Sequence, residues 1–110
     1  MVTVFTKPMG TAVSGAPNVP VVFFTAGEEG AWVIRDIIAA NYSATPETLY
    51  VALFTGSGGF ALLHQAGVEP NTSVHLDLRQ ALAPGDQVAL QTTGAAGTAT
   101  CVMTGYNFAS

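Results

Sequence analysis

Between Ser73 and Arg79 the chain alternates without a break. Val74, Leu76 and Leu78 fall on one side, and Ser73, His75, Asp77 and Arg79 on the other. A two-residue repeat fits a strand with one face in a core and one face polar, and it does not fit a helix. Ala83-Pro84-Gly85-Asp86 follows, with Pro and Gly placed as a tight turn requires. Val88 and Leu90 then alternate with Gln87 and Gln91, which makes the next strand.

The rest of the chain reads the same way. Val2–Thr6 is a short strand. Lys7 to Pro20 is broken by Pro8, Pro17 and Pro20, so it reads as an extended arm or long loop. The chain therefore divides into an N-terminal strand and arm, residues 1–20, and a domain, residues 21–110. Val21–Thr25 is a buried strand, and Ala26–Gly30 a turn. Ala31–Ala40 is ambiguous: Trp32, Val33, Ile37 and Ala40 fit one helical face, while its β-branched content and its neighbours favour a strand. Asn41–Thr48, with Pro46, is a loop. Leu49–Phe54 is apolar throughout, as in a central strand covered on both faces. Thr55–Gly59 is a turn, Phe60–His64 a strand and Gln65–Thr72 a loop around Pro70. Thr92–Thr98 is a loop before the last strand, Thr100–Phe108, which has Val102, Thr104, Tyr106 and Phe108 on one side. About eight strands with turn signals between them imply an all-β fold. We expect a single β-sandwich of jelly-roll or immunoglobulin-like type, whose strand order one sequence does not reveal.

Charge bounds the function. Only 9% of residues are charged, against about 25% in an average soluble domain, while 49% are hydrophobic. A lone domain normally keeps a mixed charged surface, so this composition points to a subunit whose outside is covered by neighbours. Lys7, Arg35 and Arg79 are scattered and the net charge is −4, which argues against nucleic acid as a partner. The longest apolar stretches, such as Leu49–Phe54, are too short to span a bilayer, so no membrane partner is expected. The start, Met-Val-Thr-Val-Phe, lacks a secretory pattern, and Cys101 is the only cysteine; both fit synthesis in a reducing compartment.

Residues with chemical potential mostly have a plainer role. His75 and Asp77 share a strand face with Arg79 beside them, but a metal or acid–base role needs further ligands and a cleft. His64 joins them only if its strand is adjacent. Cys101 lies in an apolar strand, where cysteine is a small inert hydrophobe. Gly56-Ser57-Gly58-Gly59 lacks the lysine and helix of a phosphate loop. Asp86 is expected to bind turn amides, and Glu28 and Glu29 to solvate a loop tip. Asn41-Tyr42-Ser43 and Asn71-Thr72-Ser73 match glycosylation patterns by chance in a chain without a secretory signal. No catalytic, cofactor-binding or metal-binding residue is nominated, and no enzyme is expected.

From Val22 onward the segments form an ordered pattern. It comprises Phe23-Phe24-Thr25-Ala26-Gly27, Val33–Ile38 followed by Asn41–Thr45, Leu49–Leu53, Pro70–Leu78, the Leu82–Leu90 hairpin and Thr104-Gly105-Tyr106. Across roughly four fifths of the chain this resembles small bacteriophage virion structural proteins of β-sandwich type. The resemblance implies a decoration or cement protein on the capsid exterior, or a tail accessory. It also implies as partners the major capsid protein and copies of itself in a homotrimer, assembled in the bacterial host cytoplasm. Residues 1–20 lie outside it. The rivals are a tail- or fibre-associated subunit and a carbohydrate-binding module for a host glycan. For the latter, Trp32, Tyr42, Tyr50 and Tyr106 are the candidate stacking residues.

Overall fold

The computed structural model describes residues 2–4 (backbone only), 10–28, 31–56 and 58–108. These contain nine strands: β1 (Val2–Val4), β2 (Gly10–Val13), β3 (Val21–Thr25), β4 (Ala31–Asn41), β5 (Glu47–Phe54), β6 (Phe60–Val68), β7 (Thr72–Leu82), β8 (Gln87–Thr92) and β9 (Ala99–Phe108). All ladders are antiparallel. One sheet, here sheet A, runs β1-β9-β4-β7, and β2 also pairs with β9. The other, sheet B, runs β3-β8-β5-β6.

β1 lies against Tyr106–Phe108 of β9 and β2 against Thr100–Met103, so the two short strands share one edge lane. Nine segments thus fill eight lanes. The first lane pairs with the last, β3 with β8, β4 with β7 and β5 with β6. That is a long hairpin folded back across two sheets, the jelly roll. The expectation of an all-β sandwich of about eight strands holds, and the pairing decides for the jelly roll over the immunoglobulin-like alternative.

The core lies between the sheets. Ile34, Ile37, Leu76, Cys101 and Met103 of sheet A meet Val51, Leu53, Val88 and Leu90 of sheet B. Phe24 and Trp32 close one end with ring centroids 5.2 Å apart in an edge-to-face arrangement. In β9 the buried side is Ala99, Cys101, Met103, Gly105 and Asn107, while Val102, Thr104 and Tyr106 are half-buried and Phe108 is exposed.

Ala31–Ala40 is strand, and a register shift between Ile34 and Asp36 explains its helical look. The bulge breaks the two-residue period, so the buried Ile34 and Ile37 stand three apart. Leu49–Phe54 does occupy an interior strand, though Tyr50 and Phe54 on its outer side are only half covered.

Several boundaries differ from expectation: β5 starts at Glu47 and β7 runs on to Leu82. β6 continues to Val68, because Gln65, Ala66, Gly67 and Val68 pair with Tyr50, Thr48 and their neighbours. The turn shrinks to Glu69-Pro70-Asn71, with Asn71 at φ 56°. Within Lys7–Pro20, expected as an extended arm or long loop, a strand appears, with Lys7–Met9 outside the described residues. Gly10–Val13 is paired strand, and Ala12 enters the core. Gly10 permits this: a Cβ there would stand 2.9 Å from the carbonyl oxygen of Phe23. Ser14, buried, accepts hydrogen bonds from the amides of Thr98 and Ala99 at 3.1 and 3.0 Å. Removing residues 1–18 would therefore strip an edge lane from the sandwich.

Candidate functional site

The outer face of sheet A holds most of the charge described on the strands. The β4 bulge places Arg35 and Asp36 there, and the polar side of β7 adds His75, Asp77 and Arg79. Asp36 and Asp77 are register partners. His75 Nε2 lies 2.9 Å from Asp36 Oδ1 and 3.9 Å from Asp77 Oδ1. The His75 hydrogen bond, with a smaller contribution from Asp77, holds the Asp36 carboxyl below the usual carboxylate range. The Arg35 guanidinium sits 5.8 Å from the Tyr106 ring centroid and its Nη1 donates to Tyr106 Oη at 3.4 Å. Arg35, Asp77, Leu78 and Arg79 border a depression of about 300 Å³.

Donor atoms of Asp36, His75 and Asp77 lie within 4.8 Å of one another, the donor types of a divalent-cation site. Two arginines share the face and oppose a cation, and Asp36 and His75 already satisfy each other. The arrangement is that of an exposed polar cluster joined by the Asp36–His75 hydrogen bond. Asp36 has no signal in the sequence; only the β4–β7 register brings it to His75. His64 does not join, since β6 lies in the other sheet.

Asp86 does what local chemistry predicts, and more. Its Oδ2 accepts from the Ala83 amide at 2.8 Å and its Oδ1 from the Gly56 amide at 3.2 Å. Its backbone oxygen accepts from the Ala26 amide at 2.8 Å. One buried residue thus ties three turns at one end of the sandwich, two through its carboxylate and one through its backbone oxygen, helped by Gly85 at φ 88°. The Gly56–Gly59 segment, Ser57 aside, is a hairpin turn followed by strand. Glu28 is exposed in the next turn, and Glu29 lies outside the described residues. Cys101 is wholly buried, and burial pushes its thiol up to about 12, far from a thiolate nucleophile at neutral pH.

At the other end Asn41 is fully buried and fully committed. Its Nδ2 donates to the carbonyls of Thr45 and Val68, both at 2.9 Å, and its Oδ1 accepts from the Ser43 amide and hydroxyl. Its side chain is therefore no glycan acceptor. Glu47, also buried, accepts from Thr98 Oγ1 at 3.0 Å.

The four aromatic candidates part company. Trp32 packs on the core, Tyr106 lies beside Arg35, and Tyr50 is half-buried on sheet B between Gln65 and Gln91. Tyr42 is 63% exposed and borders a depression of about 410 Å³ with Ala40, Asn71, Thr72 and Ser73.

Sheet B turns a different surface outward. Its strands carry one charged residue, Glu47, and that one is buried. Ala52 lies between Ala89 and Leu62, with Val22 beyond Ala89. Phe54 and Phe60 are cross-strand partners with ring centroids 5.4 Å apart. Val22, Phe60 and Leu62 are exposed. β6, nine residues without proline or Asp, Glu, Lys or Arg, forms the sheet edge.

No protein-family model matches the chain, and no curated protein matches it in sequence. Solved structures do match in fold. A chain of the T13 infectious bursal disease virus particle matches over 96% of this chain, with TM-score 0.59 and 12% identity. This chain spans only 30% of that one. A subunit of the Bacillus endospore appendages, described as disulfide-linked pili, matches with TM-score 0.56 and 16% identity, over 91% of this chain and 84% of its own. The Eiger TNF of S. frugiperda matches with TM-score 0.53 and 13% identity, over 99% and 90%. At such identities the likeness establishes a shared jelly-roll β-sandwich fold.

Proposed function

We propose that this chain is a non-enzymatic structural subunit of a bacteriophage particle, bound to the capsid exterior as a decoration or cement protein. The observation that carries this reading is the outer face of sheet B, which has no charged side chain and ends in an uncharged edge strand. An exposed, long, uncharged edge is a template for pairing with another chain, and monomers normally blunt it with lysine or proline. Four strands about 4.8 Å apart and on average about seven residues long present roughly 450 Å² in flat projection. Side-chain relief and the β6 edge bring this toward the about 800 Å² per partner of a standard interface. The partners of that face are the major capsid protein and further copies of this chain.

A jelly roll shared with a virus-particle chain and a pilus subunit is compatible with this reading, although fold alone does not confer function. The resemblance of residues 22–106 to small phage virion proteins supports it from the sequence side. Quantitative mass spectrometry of purified particles tests it. A copy number matching the capsid lattice is expected, and one matching a tail substructure would move the subunit there. Absence from particles, together with a monomer by light scattering at high concentration, would overturn the proposal.

A further inference from the structure

We propose that the depression beside Tyr42 is a binding site for a neutral saccharide, on a surface separate from the assembly face and independent of the assembly proposal. Ala40 and Ser73 are register partners on the outer side of sheet A, so two small side chains form a low floor. One step further toward the loops stand Tyr42 and Asn71. The next outward rung in the other direction is Ile38 opposite His75, both exposed. A flat ring fits between these higher positions, and the volume of about 410 Å³ falls in the range of small-ligand sites.

The Tyr42 ring is exposed on a fixed backbone. Its amide donates to the Thr98 carbonyl at 2.7 Å, and the preceding Asn41 is anchored by its whole amide group. Across the depression, Thr72 Oγ1 donates to the Glu69 carbonyl at 2.7 Å and so secures the turn that presents Asn71. With the backbone fixed on both sides of the depression, little main-chain freedom is lost on binding. Among the described residues, the Asn71 amide and the Tyr42 and Ser73 hydroxyls are not engaged in hydrogen bonds, so both donors and acceptors are available. No lining residue is charged. An aromatic face with neutral amide and hydroxyl groups matches the C–H face and hydroxyls of an uncharged sugar; it does not match a phosphate, a nucleotide or an acidic glycan.

The ligand can belong to a cell-surface glycan or to a free polysaccharide. Amide chemical-shift titration of the full chain with lactose, maltose and chitobiose, with sialic acid as anionic control, tests the site. At least one neutral sugar is expected to give saturable shifts confined to residues 40–42 and 71–73, with Kd of about 1 mM or tighter. Tyr42→Ala should weaken it about tenfold or more, while Tyr42→Phe keeps most of the affinity and both retain the native spectrum. A glycan array and affinity gels containing starch or xylan separate the two sources. No binding in any arm, or binding that survives Tyr42→Ala, would overturn the proposal. Neither result bears on particle copy number.

Discussion

The two sheets of this sandwich share one core yet turn opposite chemistry outward. On sheet A, Arg35, Asp36, His75, Asp77 and Arg79 gather on adjacent strands β4 and β7, and small residues beside Tyr42 leave a depression. On sheet B, Val22, Phe54, Phe60 and Leu62 make a neutral surface around the buried Ala52 and Ala89, and the only charge of its strands, Glu47, is turned into the molecule. Desolvating the first face is costly, because its charged side chains must give up water. Desolvating the second is favourable at about 25 cal/mol per Å² of apolar surface. Among the described strands, the outward charge therefore lies on sheet A, and the other side suits a permanent neighbour.

Four experiments can break or sharpen that contrast. The largest effects should come from the shared core, where the sheets ought to be equivalent. Ile37→Ala on sheet A and Leu90→Ala on sheet B are each expected to cost about 2–5 kcal/mol in urea unfolding. A much smaller loss on one side would show that the sheets differ inside as well as outside. Asp86→Ala should cost about 1.5–3 kcal/mol, since two backbone amides lose a charged acceptor, and Asp86→Asn should cost less.

Alkaline unfolding probes the sheet A side of the core. The folded Cys101 thiol is pushed up to about 12 from 9.0, so below pH 9 its contribution to stability is fully present. Above pH 9 the unfolded chain ionises first and stability falls, by about 2 kcal/mol at a pH of about 10.5 for this group. Cys101→Ala should remove that increment of pH dependence; an unchanged slope would mean the thiol reaches solvent in the folded state.

The smallest change in stability should accompany the most telling comparison. Leu62 and Ile38 are 46% and 48% exposed on the two opposite faces. Leu62→Lys and Ile38→Lys should each alter stability by less than about 0.5 kcal/mol. Only Leu62→Lys should abolish self-association by light scattering and attachment to particles. Equal effects of the two would remove the distinction between the faces.

Much of this fold was legible because strand chemistry is local. The alternation of Ser73–Arg79 and the Pro84-Gly85-Asp86 turn each identify their element without reference to the rest of the chain. The sequence was harder to read where tertiary contacts override the pattern. The bulge in β4 made a strand resemble a helix. Gly10–Val13 became a strand only because β9 offered it an edge, and Gln65–Val68 because β5 offered it a partner. For the surfaces, the sequence identified Tyr42 as one stacking candidate among four. Burial then separated it from Trp32, and Arg35 engaged Tyr106.

By itself, then, the sequence determined the all-β class, the number of strand lanes, most turns and the scarcity of charge, since all of these depend on neighbouring residues or on composition. Tertiary structure alone decided the jelly-roll order, the meeting of Asp36 with His75 and Asp77, and the binding of three turns by Asp86. It also decided which sheet would be left without charge. Each of these joins residues far apart in the chain, and strand pairing sets such distances through register, which a periodic pattern does not encode.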